Sequence, residues 1–111
     1  MKLEVGQFAR LKSGYICKII NINDFREPNM KYGVEANYLK DVMFIGDDDV
    51  VKASYNIIDI LEKGDYVNGF PVIHKENDIL KCGLLVQFKE NEIKSIVTHE
   101  QIEQMAYKVV E

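Results

Sequence analysis

No run of apolar residues in this 111-residue chain approaches the roughly 20 that a membrane-spanning helix needs. The first residues, Met1-Lys2-Leu3-Glu4-Val5-Gly6, lack the apolar stretch of a secretory signal, so the expected location is the cytoplasm. Cysteine is scarce. Cys17 and Cys82 stand singly and far apart, and in a cytoplasmic protein they read as reduced, buried thiols rather than as a disulfide. Histidine is equally scarce, and neither His74 nor His99 lies at metal-ligand spacing from another His or Cys. A zinc site from Cys17, Cys82, His74 and His99 would need distant convergence, so no metal is expected and His99 reads as an ordinary residue of a helix first turn.

The motifs of covalent chemistry are also missing. The glycines are isolated and none opens an expected helix, which sets aside a P-loop mechanism of nucleotide hydrolysis. Asp47-Asp48-Asp49 lacks the alternating acids, the glycine and the distal glutamate of a calcium loop, and reads as a solvated turn. No nucleophile elbow surrounds Ser13, Ser54, Ser95, Thr98 or either cysteine. With 18 acidic residues some carboxylate pair is always available, so pairs carry no weight. The expectation is a protein that is not an enzyme and holds no cofactor.

What is present points to a small packed protein. At 47% hydrophobic and 29% charged, the composition is that of a folded chain rather than a disordered one. Residues 1–46 carry seven Lys or Arg against five Asp or Glu, and residues 47–111 carry seven against thirteen, giving +2 and −6. That balance argues against general nucleic-acid binding, which requires a basic face, while leaving room for a local basic site in the first half.

A weak internal repeat organises the chain. Leu3-Glu4-Val5-Gly6-Gln7-Phe8-Ala9 matches Leu61-Glu62-Lys63-Gly64-Asp65-Tyr66-Val67, and each copy runs on to a second glycine and a new apolar stretch. Asn68-Gly69 is a favoured pair for a two-residue hairpin turn, whereas Lys12-Ser13-Gly14 makes a longer loop. Strands are expected at 15–22, buried on both faces, and at 38–45, 50–53, 70–74, 84–88 and 93–97, the last two as the closing pair of a meander. A loop is expected at 23–29 and a linker turn at 56–62. Thr98 followed by Gln101 forms a capping box, so a short helix is expected at 99–106 with Ile102, Met105 and Ala106 on one apolar face, and then a terminal strand at 107–110. The fold class is mainly β, α+β by count of that one helix. It divides either into two SH3-like β-barrel lobes in tandem, 1–55 and 56–111, or into one compact domain.

The first half mixes cations with aromatics: Arg10, Lys12, Tyr15 and Lys18 around the first hairpin, then Arg26, Lys31, Tyr32 and Tyr38. Aromatic faces stack on bases while cations neutralise phosphate, so Arg10, Lys12, Tyr15, Lys18, Tyr32 and Tyr38 are the candidate ligand-binding residues. The plainer reading is that the tyrosines pack on strands and the cations are solvated.

The stretch Asn56-Ile57-Ile58-Asp59-Ile60-Leu61-Glu62-Lys63-Gly64-Asp65-Tyr66-Val67-Asn68-Gly69 and the ending Ile93-Lys94-Ser95-Ile96-Val97-Thr98-His99-Glu100-Gln101-Ile102-Glu103-Gln104-Met105-Ala106-Tyr107-Lys108-Val109 resemble small accessory proteins of phages and prophages of Gram-positive bacteria. The likeness covers the second half well and the first half loosely. It implies a counter-defence protein in the host bacterial cytoplasm, and it carries no functional residue with it. The expected role is then a homo-oligomeric sponge that sequesters a nucleotide-derived immune signal of the cyclic nucleotide or ADP-ribose type, and the alternative is an inhibitor of a host defence protein such as a nuclease. In the second role the acidic residues would partly mimic nucleic acid.

Overall fold

The computed structural model describes residues 2–36 and 42–105. Candidate residue Tyr38, the first part of the strand expected at 38–45, Ala106 and the expected strand at 107–110 lie outside the described residues. Strands dominate, with one α-helix, and no described helix is long and apolar enough to cross a membrane. The chain forms two compact units that divide after Ile60. The segment 56–60, which the sequence assigned to the second lobe, therefore belongs to the first, where the 3-10 turn Ile57–Ile60 buries Ile58 and Ile60.

The first unit is a five-stranded antiparallel sheet of β1 (Phe8–Leu11), β2 (Ile16–Ile22), β3 (Tyr32–Glu35), β4 (Met43–Ile45) and β5 (Val50–Ser54), in the order β4-β3-β2-β1-β5. It is a meander whose fifth strand returns beside the first, with Ala9 opposite both Cys17 and Ala53. β3 was missed in the sequence because Tyr32-Gly33-Val34-Glu35 is short and carries a glycine. The glycine lies in a close-packed spot, where a Cβ would meet Asn21 Cβ at 3.3 Å and Val42 Cγ1 at 3.4 Å. β2 is not buried on both faces as expected: Cys17 and Ile19 point inward while Lys18 and Ile20 are exposed. Its inner side chains join Ala9, Leu11, Val34 and Ile45 in the core.

The second unit contains β6 (Tyr66–Val67), β7 (Phe70–Pro71), β8 (His74–Glu76), β9 (Ile79–Lys81), β10 (Gln87–Lys89), β11 (Ile96–Val97) and α1 (His99–Met105). They form two three-stranded sheets, β11-β6-β7 and β10-β9-β8, and only Val72 and Ile73 separate β7 from β8. Read through that short passage, the order repeats that of the first unit, with the last strand beside the first. It is the strand order an SH3-like lobe requires, but neither unit closes into a barrel through its described strand pairs. The expected pairing of the last two strands is also replaced. β10 pairs with β9 and β11 with β6, because the 3-10 turn Glu90–Glu92 carries the chain from one sheet to the other.

The weak repeat is a structural one. Gly6 and Gly64 both take a left-handed φ, +96° and +97°, which glycine adopts without the Cβ penalty. In the first copy the Glu4 N–H donates to Gln7 Oε1 at 2.9 Å, and in the second the Glu62 N–H donates to Asp65 Oδ2 at 2.7 Å. The glycine N–H then bonds the returning strand in each, to the carbonyl of Ile19 at 2.8 Å and to that of Val72 at 3.3 Å. Late in each unit a 3-10 turn precedes the last strand, closed by an acid reaching back: the Gly46 N–H donates to Asp49 Oδ2 at 2.9 Å, and the Lys89 N–H to Glu92 Oε1 at 2.8 Å.

Candidate functional site

Of the six residues singled out for ligand binding, two serve the interior. Arg10 on β1 is only 1% exposed, and its guanidinium donates to the Ile60 carbonyl at 3.0 Å, satisfying an acceptor at the end of a 3-10 turn. Tyr32 on β3 is 2% exposed and its hydroxyl donates to Asp47 Oδ1 at 2.6 Å. Neither side chain is at the surface, where the sequence reading placed it, and both placements have one cause. A small sheet has few side chains long enough to reach a buried backbone or loop group, and Arg and Tyr combine an apolar stem with a polar tip. Burial, and then the Asp47 hydrogen bond, raise the Tyr32 phenol above its ordinary range.

Lys12, Tyr15 and Lys18 do lie at the surface, on the β1–β2 hairpin. The Lys18 ammonium sits 5.7 Å from the centre of the Phe8 ring, its cross-strand partner. Two more cations of this half are engaged in the same way. Arg26 lies 4.6 Å over the Phe44 ring and bonds Asn21 Oδ1, and Lys31 pairs with Asp24 at 3.3 Å while resting 5.4 Å over Tyr32. These cation–aromatic contacts stabilise the unit's own surface.

The acidic run is also structural in part. Asp47 holds Tyr32 and Asp49 closes its own turn. Counted by unit, residues 1–60 carry eight Lys or Arg against nine acids and residues 61–111 carry six against nine, that is −1 and −3. The charge asymmetry read along the sequence is thus mostly a matter of where the chain was cut.

The second unit holds a cluster that the sequence did not disclose. His99 opens α1, and its Nε2 lies 2.7 Å from Glu62 Oε2 and 2.8 Å from Glu100 Oε1. Its Nδ1 lies 4.0 Å from Glu103 Oε1. Beneath the group is Asp65, fully buried, whose two oxygens accept the backbone N–H of Glu62 at 2.7 Å and of His99 at 3.0 Å. One carboxylate therefore ties together two segments far apart in the chain. Thr98 supplies the expected capping box, its N–H donating to Gln101 Oε1 at 3.0 Å while its hydroxyl accepts the Gln101 N–H at 3.4 Å. The expected apolar helix face is not buried: Ile102 is 37% and Met105 81% exposed. Among the described residues, the bonds of the first turn anchor the helix.

The chain matches no protein-family model, no curated protein and no solved structure. Function therefore has to be argued from what the two units present. Cys17 and Cys82 are buried free thiols, and burial raises both, Cys17 to about 11, which leaves neither ready as a nucleophile near neutrality. His74 is exposed on β8. The other conspicuous surface feature is apolar. Leu84 and Leu85, in the loop between β9 and β10, are 104% and 97% exposed, and Phe25, in the loop between β2 and β3, is 100% exposed.

Proposed function

We propose that the chain is a phage-type accessory protein that works by gripping a protein partner, without covalent chemistry, and that the partner is a host defence protein in the bacterial cytoplasm. The observation that carries this reading is the fully exposed Leu84-Leu85 pair at a loop tip. Two adjacent leucines projecting into water bury nothing within their own unit, and seating both in an apolar recess of a partner would contribute about 3–6 kcal/mol before the costs of association. The lobes supply rigid strands from which such loops project, as binding loops on β scaffolds do.

The experiment is capture of host protein by the tagged chain, compared with the double variant Leu84→Ser and Leu85→Ser. A specific host protein retained by the parent and lost by the variant supports the reading. Equal retention by both removes the loop from it.

A second reading keeps the nucleotide sponge, supported by Lys12, a partly exposed Tyr15 and Lys18 along a single hairpin. It is the weaker of the two, because Arg10 and Tyr32 are withdrawn into the interior. Calorimetry against cyclic dinucleotides and ADP-ribose derivatives tests it, with heat lost on Tyr15→Ala as the supporting result and silence across the panel as the opposing one.

A further inference from the structure

The group around His99 has the composition of a metal site rather than of an ordinary ion pair. An imidazole Nε2 carries at most one proton, yet here it faces two carboxylates, at 2.7 Å and 2.8 Å. One N–H satisfies one acceptor well and a second only at poor angle. A protonated imidazole or a divalent ion between two glutamates brought that close relieves their repulsion. A divalent ion with three or more coordination positions can take one donor atom from each of the three groups.

We propose that Glu62, His99 and Glu100 form a binding site for a first-row divalent transition ion of the zinc class. The three ligand atoms lie within 4.8 Å of one another. Tetrahedral zinc, with bonds of about 2.0–2.1 Å, needs its ligand atoms about 3.3 Å apart. The histidine and each carboxylate must therefore separate by about half an ångström, a change that side-chain rotation provides. Imidazole among the donors selects zinc-like ions over magnesium or calcium, which prefer oxygen alone. All three side chains are partly exposed, at 36% for His99, 30% for Glu62 and 22% for Glu100, so water can enter to complete the shell.

The backbone under the site is already organised. Buried Asp65 holds the Glu62 and His99 amides at once, so two ligands from segments separated by most of the unit are placed before any ion arrives. Two glutamates offset the charge of a divalent ion, and the acids at 65 and 103 counter the positive end of the helix that would oppose it. The ion would clip the first turn of α1 to the turn that begins β6, which is where the helix lacks an apolar anchor. The site shares no residue with the Leu84-Leu85 loop, and its test is independent of partner capture.

The test uses the full chain, cleared of metal with a chelator, titrated with zinc chloride at neutral pH in a calorimeter and by proton NMR of the imidazoles. Cys17→Ser and Cys82→Ser are introduced first so that thiols cannot bind. The expected result is one equivalent of zinc bound, with the His99 ring resonances moving and the solvent-exposed His74 unmoved. Glu100→Gln and His99→Gln each weaken binding by more than the roughly 10–100-fold that outer-shell changes cost. Glu100→Gln keeps the size of the side chain and serves if His99→Gln does not fold. Unmoved His99 resonances at equimolar zinc, or parent-like affinity in Glu100→Gln, would overturn the proposal.

Discussion

At Arg10 the side chain with the highest cost of burial is turned to the interior, where it bonds the Ile60 carbonyl. Arg10→Ala removes both the packed stem and the donor, and the expected loss of unfolding free energy is about 3 kcal/mol, read from urea denaturation. Nucleotide binding, if the chain has any, should be unaffected in the folded fraction. Cys17 gives a pH signature. Burial raises its thiol from 9.0 to about 11, so across that window the unfolded chain has released a proton that the folded chain keeps. Stability then falls as pH rises from 9 towards 11, by up to about 2–3 kcal/mol. Tyr32, raised in the same direction, adds to the fall above its ordinary value of 10.0. Melts at stepped pH should show Cys17→Ala with a shallower decline from near 9, the remainder there coming from Cys82, which burial also raises, and an unchanged profile would mean that the Cys17 thiol is not protected.

Among the elements, the turns rather than the strands carry the unusual demands. Asn68 and Gly69 stand at φ +53° and +86°, the pairing of a tight hairpin turn. The Asn68 side chain also fastens the approach to β11, its amide donating to the Glu92 carbonyl at 2.9 Å and its oxygen accepting the N–H of Lys94 at 2.8 Å and of Ser95 at 3.1 Å. Asn68→Ala loses those bonds and strains the turn, for about 3 kcal/mol in total, and Asn68→Gly recovers about 1 kcal/mol of it by relieving the strain alone. The ordering of the two variants in denaturant midpoints is the check. Gly46 presents a steric demand: a Cβ there would lie 2.4 Å from the Pro28 carbonyl oxygen and 2.7 Å from Asn29 Cα. Backbone cannot yield as a side-chain tip can, so Gly46→Ala should cost about 2–3 kcal/mol, whereas Gly83→Ala, with its nearest neighbour at 3.9 Å and no left-handed φ, should be nearly neutral in the same assay.

For the molecule as a whole, the charges and the exposed apolar loops point to different kinds of recognition, and salt separates them. Binding by acidic mimicry weakens steeply as ions screen it, while seating of leucines in a recess does not. With unit charges of only −1 and −3, and part of the acidic run tied to Tyr32 and to its own turn, capture of the partner should persist at about 0.5 M salt, where the screening length is only a few ångströms. Elution of the partner by that salt would favour acidic mimicry over the leucine contact.

Local chemistry made much of this legible in the amino acids. The Asn68-Gly69 turn, the Thr98–Gln101 cap, the repeated glycine turn and the mainly β character each depend on residues a few positions apart, and each stands in the structure where it was expected. Short β3 escaped notice, and the pairing of β11 with β6 could not be read at all, since strand partners are chosen by packing across the whole unit. The same limit hid the roles of Arg10 and Tyr32, which look like surface ligands by type and become interior by the depth of β1 and β3. It hid His99 most completely. Nothing near that residue in sequence announces Glu62, and only the antiparallel closure of β11 against β6, held by one buried aspartate, brings the two side chains within reach.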